Sequence, residues 1–365
     1  MRSYNDFNLN KILSSQDPAI LYSLLQTAEA IRMQNIGNSI YLRGLIEYSN
    51  YCQCDCLYCG LRKSNQDISR YRLNFNETVD LALQAHKLGM QSVVFQSGEV
   101  PGDKTVEFLA DVVSVLKEKT AKDGKGGLGI TLSVGELTYT QYKRLFASGA
   151  HRYLLRIEAS NRDLFRKIHP PTQSYEKRLE CLDALKDIGY QVGTGVMIGL
   201  PGQSPEHLIE DLDFFIKRDI DMLGMGPYLP QASTPLAQTK KITFVDPYST
   251  TLKMMALSRI FMPDINMVAS TALQSINKNG LQMGLKAGAN IIMPVFTPEK
   301  FRNDYCIYDN KEFKPLDKLQ QEVDQAGYKL VFRKWGDSRH YYHRLGKPHP
   351  ELEAPHCGAD NLNHS

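Results

Sequence analysis

The sequence has no apolar run near the ~20 residues that a membrane helix needs. Its first residues, Met1-Arg2-Ser3-Tyr4-Asn5-Asp6, lack the apolar core of an export leader. The expectation is a cytoplasmic protein with no membrane partner. Charge of one sign is scarce too. A formal net charge of +3, from 43 basic and 40 acidic residues, is too small and too dispersed for a nucleic-acid surface. Paired cysteines are missing: no second Cys-x2-Cys or Cys/His pair stands near the first cysteine cluster to complete the knuckles of a structural zinc site. Seven cysteines in a chain this long do not make a disulfide scaffold either. With 365 residues, 42% hydrophobic and 23% charged, the chain can bury one large core.

The most informative feature present is the run Asn50-Tyr51-Cys52-Gln53-Cys54-Asp55-Cys56-Leu57-Tyr58-Cys59-Gly60, which follows the first strong strand signal. Cys52, Cys56 and Cys59 form a C-x3-C-x2-C array. Three thiolates on one loop can hold three irons of a [4Fe–4S] cube, since cysteine sulfur ligates such clusters. The fourth iron then has no local thiolate and is open to a ligand that is not protein. Four cysteines would suit simple electron transfer; three with a gap suit a cluster that binds a reactant. Cys54 does not fit the spacing and reads as a bystander thiol. A cluster of this kind survives best in a reducing interior, in keeping with a cytoplasmic enzyme.

Around this run the chain alternates. Residues 1–38 read as a helical lead-in, with Ser14-Ser15-Gln16-Asp17-Pro18 able to start a helix. Strand candidates lie at 41–48, 92–96, 129–133, 153–158, 192–198, 221–226, 267–271 and 290–294. Between two of them, Leu208, Leu212, Phe215 and Ile216 recur on one helical face. Gly89, Gly149, Gly189 and Gly288 stand where left-handed caps would end helices. Strands alternating with helices predict parallel βαβ units. The fold class is α/β. A closed (β/α)8 TIM-type barrel is the economical assembly, with its active site at the C-terminal strand ends; a doubly wound open sheet is the alternative. The barrel is expected over 39–335, ending in a helix and strand at about 310–335. A short C-terminal extension, 336–365, carries His340, His343, His349, His356, Cys357 and His364. It reads as a flexible, solvated tail in preference to a second metal site.

The strand ends carry the polar chemistry. Gln96-Ser97-Gly98-Glu99 closes the second strand, where glycine lets a ligand approach the backbone and the carboxylate can hold an ammonium group. Ser133-Val134-Gly135-Glu136 closes the third, and Arg156-Ile157-Glu158-Ala159-Ser160 the fourth. Arg156 and Glu158, two apart on a strand, should face the same side. Arg178 lies on the next helix, where a surface role is the ordinary one. Gly199-Leu200-Pro201-Gly202-Gln203 reads as a turn. Met222, Met225 and Met293 would ordinarily fill core.

The cysteine array, with the Gln96-to-Glu99 segment about forty residues on, resembles the radical S-adenosylmethionine (SAM) superfamily. Ile46-to-Asn50, Cys56-to-Arg62, Arg70-Tyr71-Arg72, Leu132-to-Glu136, Arg152-to-Glu158, Gly199-to-Gln203, Gly224-to-Pro227, Thr234-Pro235-Leu236 and Gly288-to-Pro294 look like the HydE family of [FeFe]-hydrogenase maturases. The resemblance runs from about residue 40 to 305. It implies a [4Fe–4S] cluster on Cys52, Cys56 and Cys59 that cleaves SAM reductively. It further implies SAM contacts at Tyr58, Gln96, Gly98, Glu99, Ser133, Glu158 and Arg178, with Gly199-to-Gln203 along the adenine. Thr131, Arg156, Met222, Thr271 and Met293 would line the substrate cavity. The implied substrate is a small cysteine-bound iron complex from a companion maturase, and the implied protein is a monomer. Two departures stand out: Ile157 occupies a place where some family members carry histidine, and the C-terminal half has only Cys306 and Cys357, so no auxiliary cluster is expected. Methylornithine synthase and biotin synthase share the fold. The former should show an acidic residue after the seventh strand, where Ser270-Thr271-Ala272-Leu273 has none; the latter needs inner-strand cysteines that are missing. From another class, a non-catalytic iron–sulfur or zinc scaffold would use the same thiols without needing the SAM contacts.

Overall fold

A computed structural model describes residues 8–122, 125–239 and 246–351. Seven strands form one parallel sheet in the spatial order 266–267, 222–223, 191–194, 152–154, 129–133, 92–97, 44–49. An open sheet would leave its two edges apart. Here Ile291–Ile292 joins them: parallel bridges run from Val268 to Ile291 on one side and from Leu45 to Val295 on the other. Ala269 N–H donates to Ile291 O at 3.0 Å and Phe296 N–H to Leu45 O at 2.7 Å. The result is a closed barrel of eight parallel strands, and the doubly wound alternative falls.

Local chemistry explains where elements begin and end. The helix Pro18–Asn35 starts at Asp17, whose side chain accepts from Ala19 N–H, with proline at the first helical position where no N–H is needed. On the helix Pro205–Lys217, Leu208, Leu212 and Phe215 are buried and Ile216 is exposed, so the expected apolar face holds except at its edge. Gly189 (φ 105°) ends the helix Tyr175–Ile188 in the left-handed region that glycine reaches without a Cβ clash. The helix Leu316–Gln325 and strand Lys329–Val331 complete the chain's expected final pair; that strand adds to Ser39–Leu42, outside the seven-stranded sheet.

Two sequence readings need correction. The fourth strand is regular over Arg152–Leu154 only; the chain then leaves the strand path, reaching φ 64° at Glu158, where a single parallel bridge to Val196 meets the next strand again. The extension after 335 is not a solvated tail over its first part. Residues 336–351 plug the N-terminal end of the barrel. Asp337 pairs with Arg152 and with His151 (3.2 Å), Ser338 N–H donates to Gln191 Oε1 (3.0 Å), and Arg344 pairs with Asp221 (2.9 Å). His340 bridges Asp219 (2.6 Å) and Asp264 (3.1 Å), and His343 meets Asp264 at 2.6 Å. His349 Nε2 bonds Asp337 O at 3.2 Å. Of the histidines that looked like tail composition, His340 and His343 face carboxylates on the barrel floor and His349 a backbone carbonyl. His356, Cys357 and His364 lie outside the described residues.

Candidate active site

The loop after the first strand turns into the C-terminal mouth of the barrel and lines a cavity of about 310 Å³. Cys52, Cys56 and Cys59 all face that cavity. So do Tyr58, Gln96, Gly98, Glu99, Ser133, Glu158 and Arg178, together with Arg156, Thr271 and Met293. Residues from strands one, two, three, four and eight thus meet in one space.

The loop is held from several directions. Arg70 donates to the carbonyls of Asn50 (2.7 Å), Leu61 (2.9 Å) and Arg62 (2.8 Å), using its rigid fork to clamp both ends of the cysteine segment. Leu57 N–H bonds Ile168 O and Leu57 O accepts from Leu236 N–H. Gly98 explains its residue type by contact: a Cβ there would lie 2.3 Å from Tyr51 O and 2.7 Å from Cys52 Cβ. Only glycine lets the second strand's end approach the cysteine loop so closely.

Burial holds two of the three array thiols toward their neutral form when no metal is bound. Burial, then the neighbouring thiols, push Cys56 well above the ordinary thiol range, and burial with Cys52 pushes Cys59 up to about 12. Among the described residues no three His, Cys, Asp or Glu side chains are placed to hold one metal ion. A cube, with one thiolate on each of three irons, needs its sulfurs apart and supplies the positive charge that clustered thiolates require. Cys54 also faces the cavity. Its thiol donates to Glu99 Oε1 (3.2 Å) and accepts from Gln173 Nε2 (3.3 Å), while Gln173 Oε1 accepts from Cys56 Sγ (3.1 Å).

Beside the thiols lies a band of buried charge. Glu99 Oε2 accepts from Glu136 N–H at 2.9 Å, and burial, opposed by Arg178, raises the Glu99 pKa. Arg178 is no surface arginine. Its Nε meets Glu136 Oε1 at 2.6 Å and its Nη1 donates to Arg156 O. Burial works against its charge, but Glu136 and Glu99 outweigh burial and hold its pKa above the usual guanidinium value. Arg156 and Glu158 do meet, at 2.9 Å, although the left-handed turn at Glu158 brings them together, not strand alternation. Glu158 Oε2 is buried in that ion pair without a well-aligned hydrogen bond, and burial, opposed by Arg156, raises its pKa. Ser270 Oγ and Arg156 Nε are likewise buried without partners. Orphaned polar atoms of this kind around one cavity are what a polar ligand satisfies. The fit to a SAM-sized zwitterion is good on this ground.

Tyr58 has a defined partner. His169 Nδ1 faces Phe165 O at 2.9 Å and must donate to it; burial lowers the ring's pKa to about 3, so Nε2 is left as an acceptor for the Tyr58 hydroxyl at 3.3 Å. Two expected cavity residues are elsewhere. Thr131 Oγ1 accepts from Arg152 Nε (2.9 Å), and the Met222 sulfur accepts from Arg43 Nη1 (3.2 Å). Both belong to a polar layer deeper in the barrel, tied to the 336–351 plug through Arg43 and Arg152. Sequence reasoning missed Glu47, Gln173, Tyr305, Tyr308 and Lys311, which also line the cavity. Only Glu47, on the first strand, sat in a segment that had been singled out; the others come from loops with no pattern to mark them.

Residues 46–215 match the family model described as the Radical SAM superfamily. The chain is 42% identical over 303 residues to the [FeFe] hydrogenase maturase subunit HydE of Thermotoga maritima, covering 83% of both chains. It is 27% identical to the 3-methylornithine synthase of Methanosarcina acetivorans, over 84% of this chain and 83% of that one. Among solved structures, methylornithine synthase (PylB) superposes with a TM-score of 0.76 at 25% identity, over 89% of this chain and 94% of the other. The chain belongs to the radical SAM superfamily and, within it, to the family of the hydrogenase maturase HydE.

Proposed function

We propose that this radical SAM enzyme acts on a small cysteine-bound iron complex during assembly of the di-iron subcluster of [FeFe]-hydrogenase. In this reading it works as a cytoplasmic monomer between companion maturases. One observation carries the reading: the three array thiols, the expected SAM contacts and the second polar group of Arg156, Thr271 and Met293 share a single cavity, so cofactor and substrate would lie in contact. The 42% identity to HydE supports the choice of reaction.

Cys52, Cys56 and Cys59 would hold three irons of a [4Fe–4S] cluster. Such a cluster, with SAM, would supply one-electron reductive cleavage of the sulfonium. The chain's own residues bind and orient. Glu99 takes the SAM ammonium, and the Arg178 donors left over from Glu136 and Arg156 O take its carboxylate. Glu158, fixed by its left-handed turn and its Gly195 contact (Glu158 N–H to Gly195 O, 3.0 Å), would offer its Arg156-paired carboxylate to a hydroxyl donor. Tyr58, with its hydroxyl committed to His169, presents a ring that keeps water from the array. Arg156 Nε, Thr271 and the Met293 thioether face the substrate.

The test is anaerobic reconstitution, then electron paramagnetic resonance with and without SAM, 5′-deoxyadenosine formation, and in vitro maturation of [FeFe]-hydrogenase with the companion proteins. The reading predicts a SAM-dependent change in the spectrum and maturation that depends on this chain. SAM cleavage without maturation would leave a radical SAM enzyme of another substrate. The methylornithine synthase likeness offers the obvious substitute, but Ser270-Thr271-Ala272-Leu273 supplies no acidic residue at the seventh strand's end.

A further inference from the structure

The turn between the helices Arg162–Ile168 and Tyr175–Ile188 puts one amide among the thiols. Both flanks of that turn are fixed. Gln173 N–H donates to Pro170 O (2.9 Å), and Ser174 Oγ accepts from Lys177 N–H (3.2 Å) as the cap of the second helix. From this base the Gln173 side chain lines the cavity. Its Oε1 accepts from Cys56 Sγ and its Nε2 donates to Cys54 Sγ, while the Cys54 thiol donates to Glu99 Oε1. Backbone N–H groups reach the other two array sulfurs, Cys54 N–H to Cys52 at 3.4 Å and Leu61 N–H to Cys59. For Cys56 the partner is a side chain 117 residues on.

This direction of the Gln173 amide suits protonated thiols only. A thiolate accepts hydrogen bonds and has no hydrogen to give. Once Cys56 gives up its proton to bind iron, Oε1 faces a second acceptor and the contact becomes repulsive. Turning the amide half a revolution about its last bond exchanges oxygen and nitrogen at nearly the same positions. Nε2 then donates to Cys56 Sγ. Oε1 now faces Cys54, whose S–H satisfies it by swinging away from Glu99. A donor aimed at a cluster sulfur favours the reduced cluster, which carries one more electron, and hydrogen bonds to sulfur are among the factors that set the potential.

We propose that Gln173 is a positioning residue of the radical-generating centre: its amide turns when Cys56 takes iron, donates to that sulfur to raise the cluster's reduction potential, and draws the Cys54 thiol off Glu99. The handover leaves Glu99 Oε1 open to the ammonium of SAM only once the cluster is in place. Cys54, a bystander by its spacing, thus belongs to the cofactor site without ligating iron. The proposal rests on the reading that the three array thiols hold the cluster, but not on which substrate follows.

The test is a redox titration of the reconstituted, SAM-free protein followed by electron paramagnetic resonance, together with SAM affinity by anaerobic equilibrium dialysis. Gln173→Leu removes donor and acceptor at once. Its reduction equilibrium should move about three- to tenfold toward the oxidised cluster, about 30–60 mV for a one-electron couple. Gln173→Glu, an acceptor of the same shape with a negative charge, should move it further the same way, and it carries the test if the leucine variant loses iron. In Gln173→Leu the Cys54 thiol stays on Glu99, so SAM should bind about threefold more weakly, the low end of one hydrogen bond's net worth. Adding Cys54→Ala should restore that affinity. A merely structural role would lower iron content and melting temperature together and leave the remaining clusters at the wild-type potential; that result overturns the proposal. So does SAM affinity that Cys54→Ala leaves unchanged in the Gln173→Leu background. Failure of the cluster reading shows separately, as wild-type protein without the iron content and spectrum of one cube.

Discussion

Arg178→Met is the most demanding test of the site. The guanidinium is 6% exposed and its partner Glu136 is 13% exposed. Replacement strips the cation from between Glu136 and Glu99, two carboxylates that already repel, and leaves Arg156 O without its donor. Removing one member of a buried pair costs about 3–5 kcal/mol, because the other charge stays buried and unpaired. At about 2 °C per kcal/mol for a large domain, the melting temperature should fall by about 6–10 °C. Adding Glu136→Gln removes the stranded charge and should recover at least half of that loss. SAM affinity should behave differently. If the remaining Arg178 donors hold the SAM carboxylate, both variants lose more than about tenfold in affinity, and the second substitution does not restore it. Thermal unfolding and anaerobic equilibrium dialysis separate the two effects. A double variant as unstable as the single one refutes the pairing argument; SAM affinity that returns with stability removes Arg178 from the cofactor site.

Four further outcomes follow from the structure. Alanine at Cys52, Cys56 or Cys59 should abolish the SAM-bound cluster signal, whereas Cys54→Ala should leave it nearly unchanged. The reconstituted wild type should hold about four irons per chain, the count of one cube. Gly98→Ala places a methyl group 2.3 Å from a carbonyl oxygen on the cysteine loop, so the loop must shift; iron retention after gel filtration should drop while helix content by circular dichroism does not. Burial pushes the Asp211 carboxyl from 3.8 up to about 7 against its bonds to Ser160 N–H (2.8 Å) and Oγ (2.6 Å). In that window the folded chain holds a proton that the unfolded chain releases, so this group's contribution is full below 3.8 and is lost as pH rises through about 7. Asp211→Asn should therefore gain stability relative to wild type between pH 5 and pH 8 in denaturant titrations, and a constant difference across that range would contradict the assignment.

Much of the barrel was legible because its signals are local. Hydrophobic runs of strand length, helix-ending glycines and the spacing of Cys52, Cys56 and Cys59 each depend on a few consecutive residues. The reading failed where a strand's end is set by what it meets. Residues 155–158 look like continued strand, yet the chain turns left-handed at Glu158, where Glu158 N–H bonds Gly195 O and Met197 N–H bonds Glu158 O. Thr131 and Met222 have the right alternation for a cavity wall, but they lie at the level of Arg152 and Arg43, and alternation says which side a residue faces, not how deep it sits. The histidines after 335 look like tail composition because their carboxylate partners, Asp219 and Asp264, lie 76 to 121 residues earlier.

The sequence by itself determined the alternating architecture and the cysteine array, because each follows from spacing along one stretch of chain, while resemblance to a family picked out the strand-end residues that line the cavity. Only the tertiary structure decided that the ring of strands closes, that Arg178 is buried between two carboxylates, that residues 336–351 seal the barrel floor, and that Gln173 meets Cys54 and Cys56. Those are contacts between residues far apart in the chain. Their energies depend on burial and distance, and neither is written in the local order of residues.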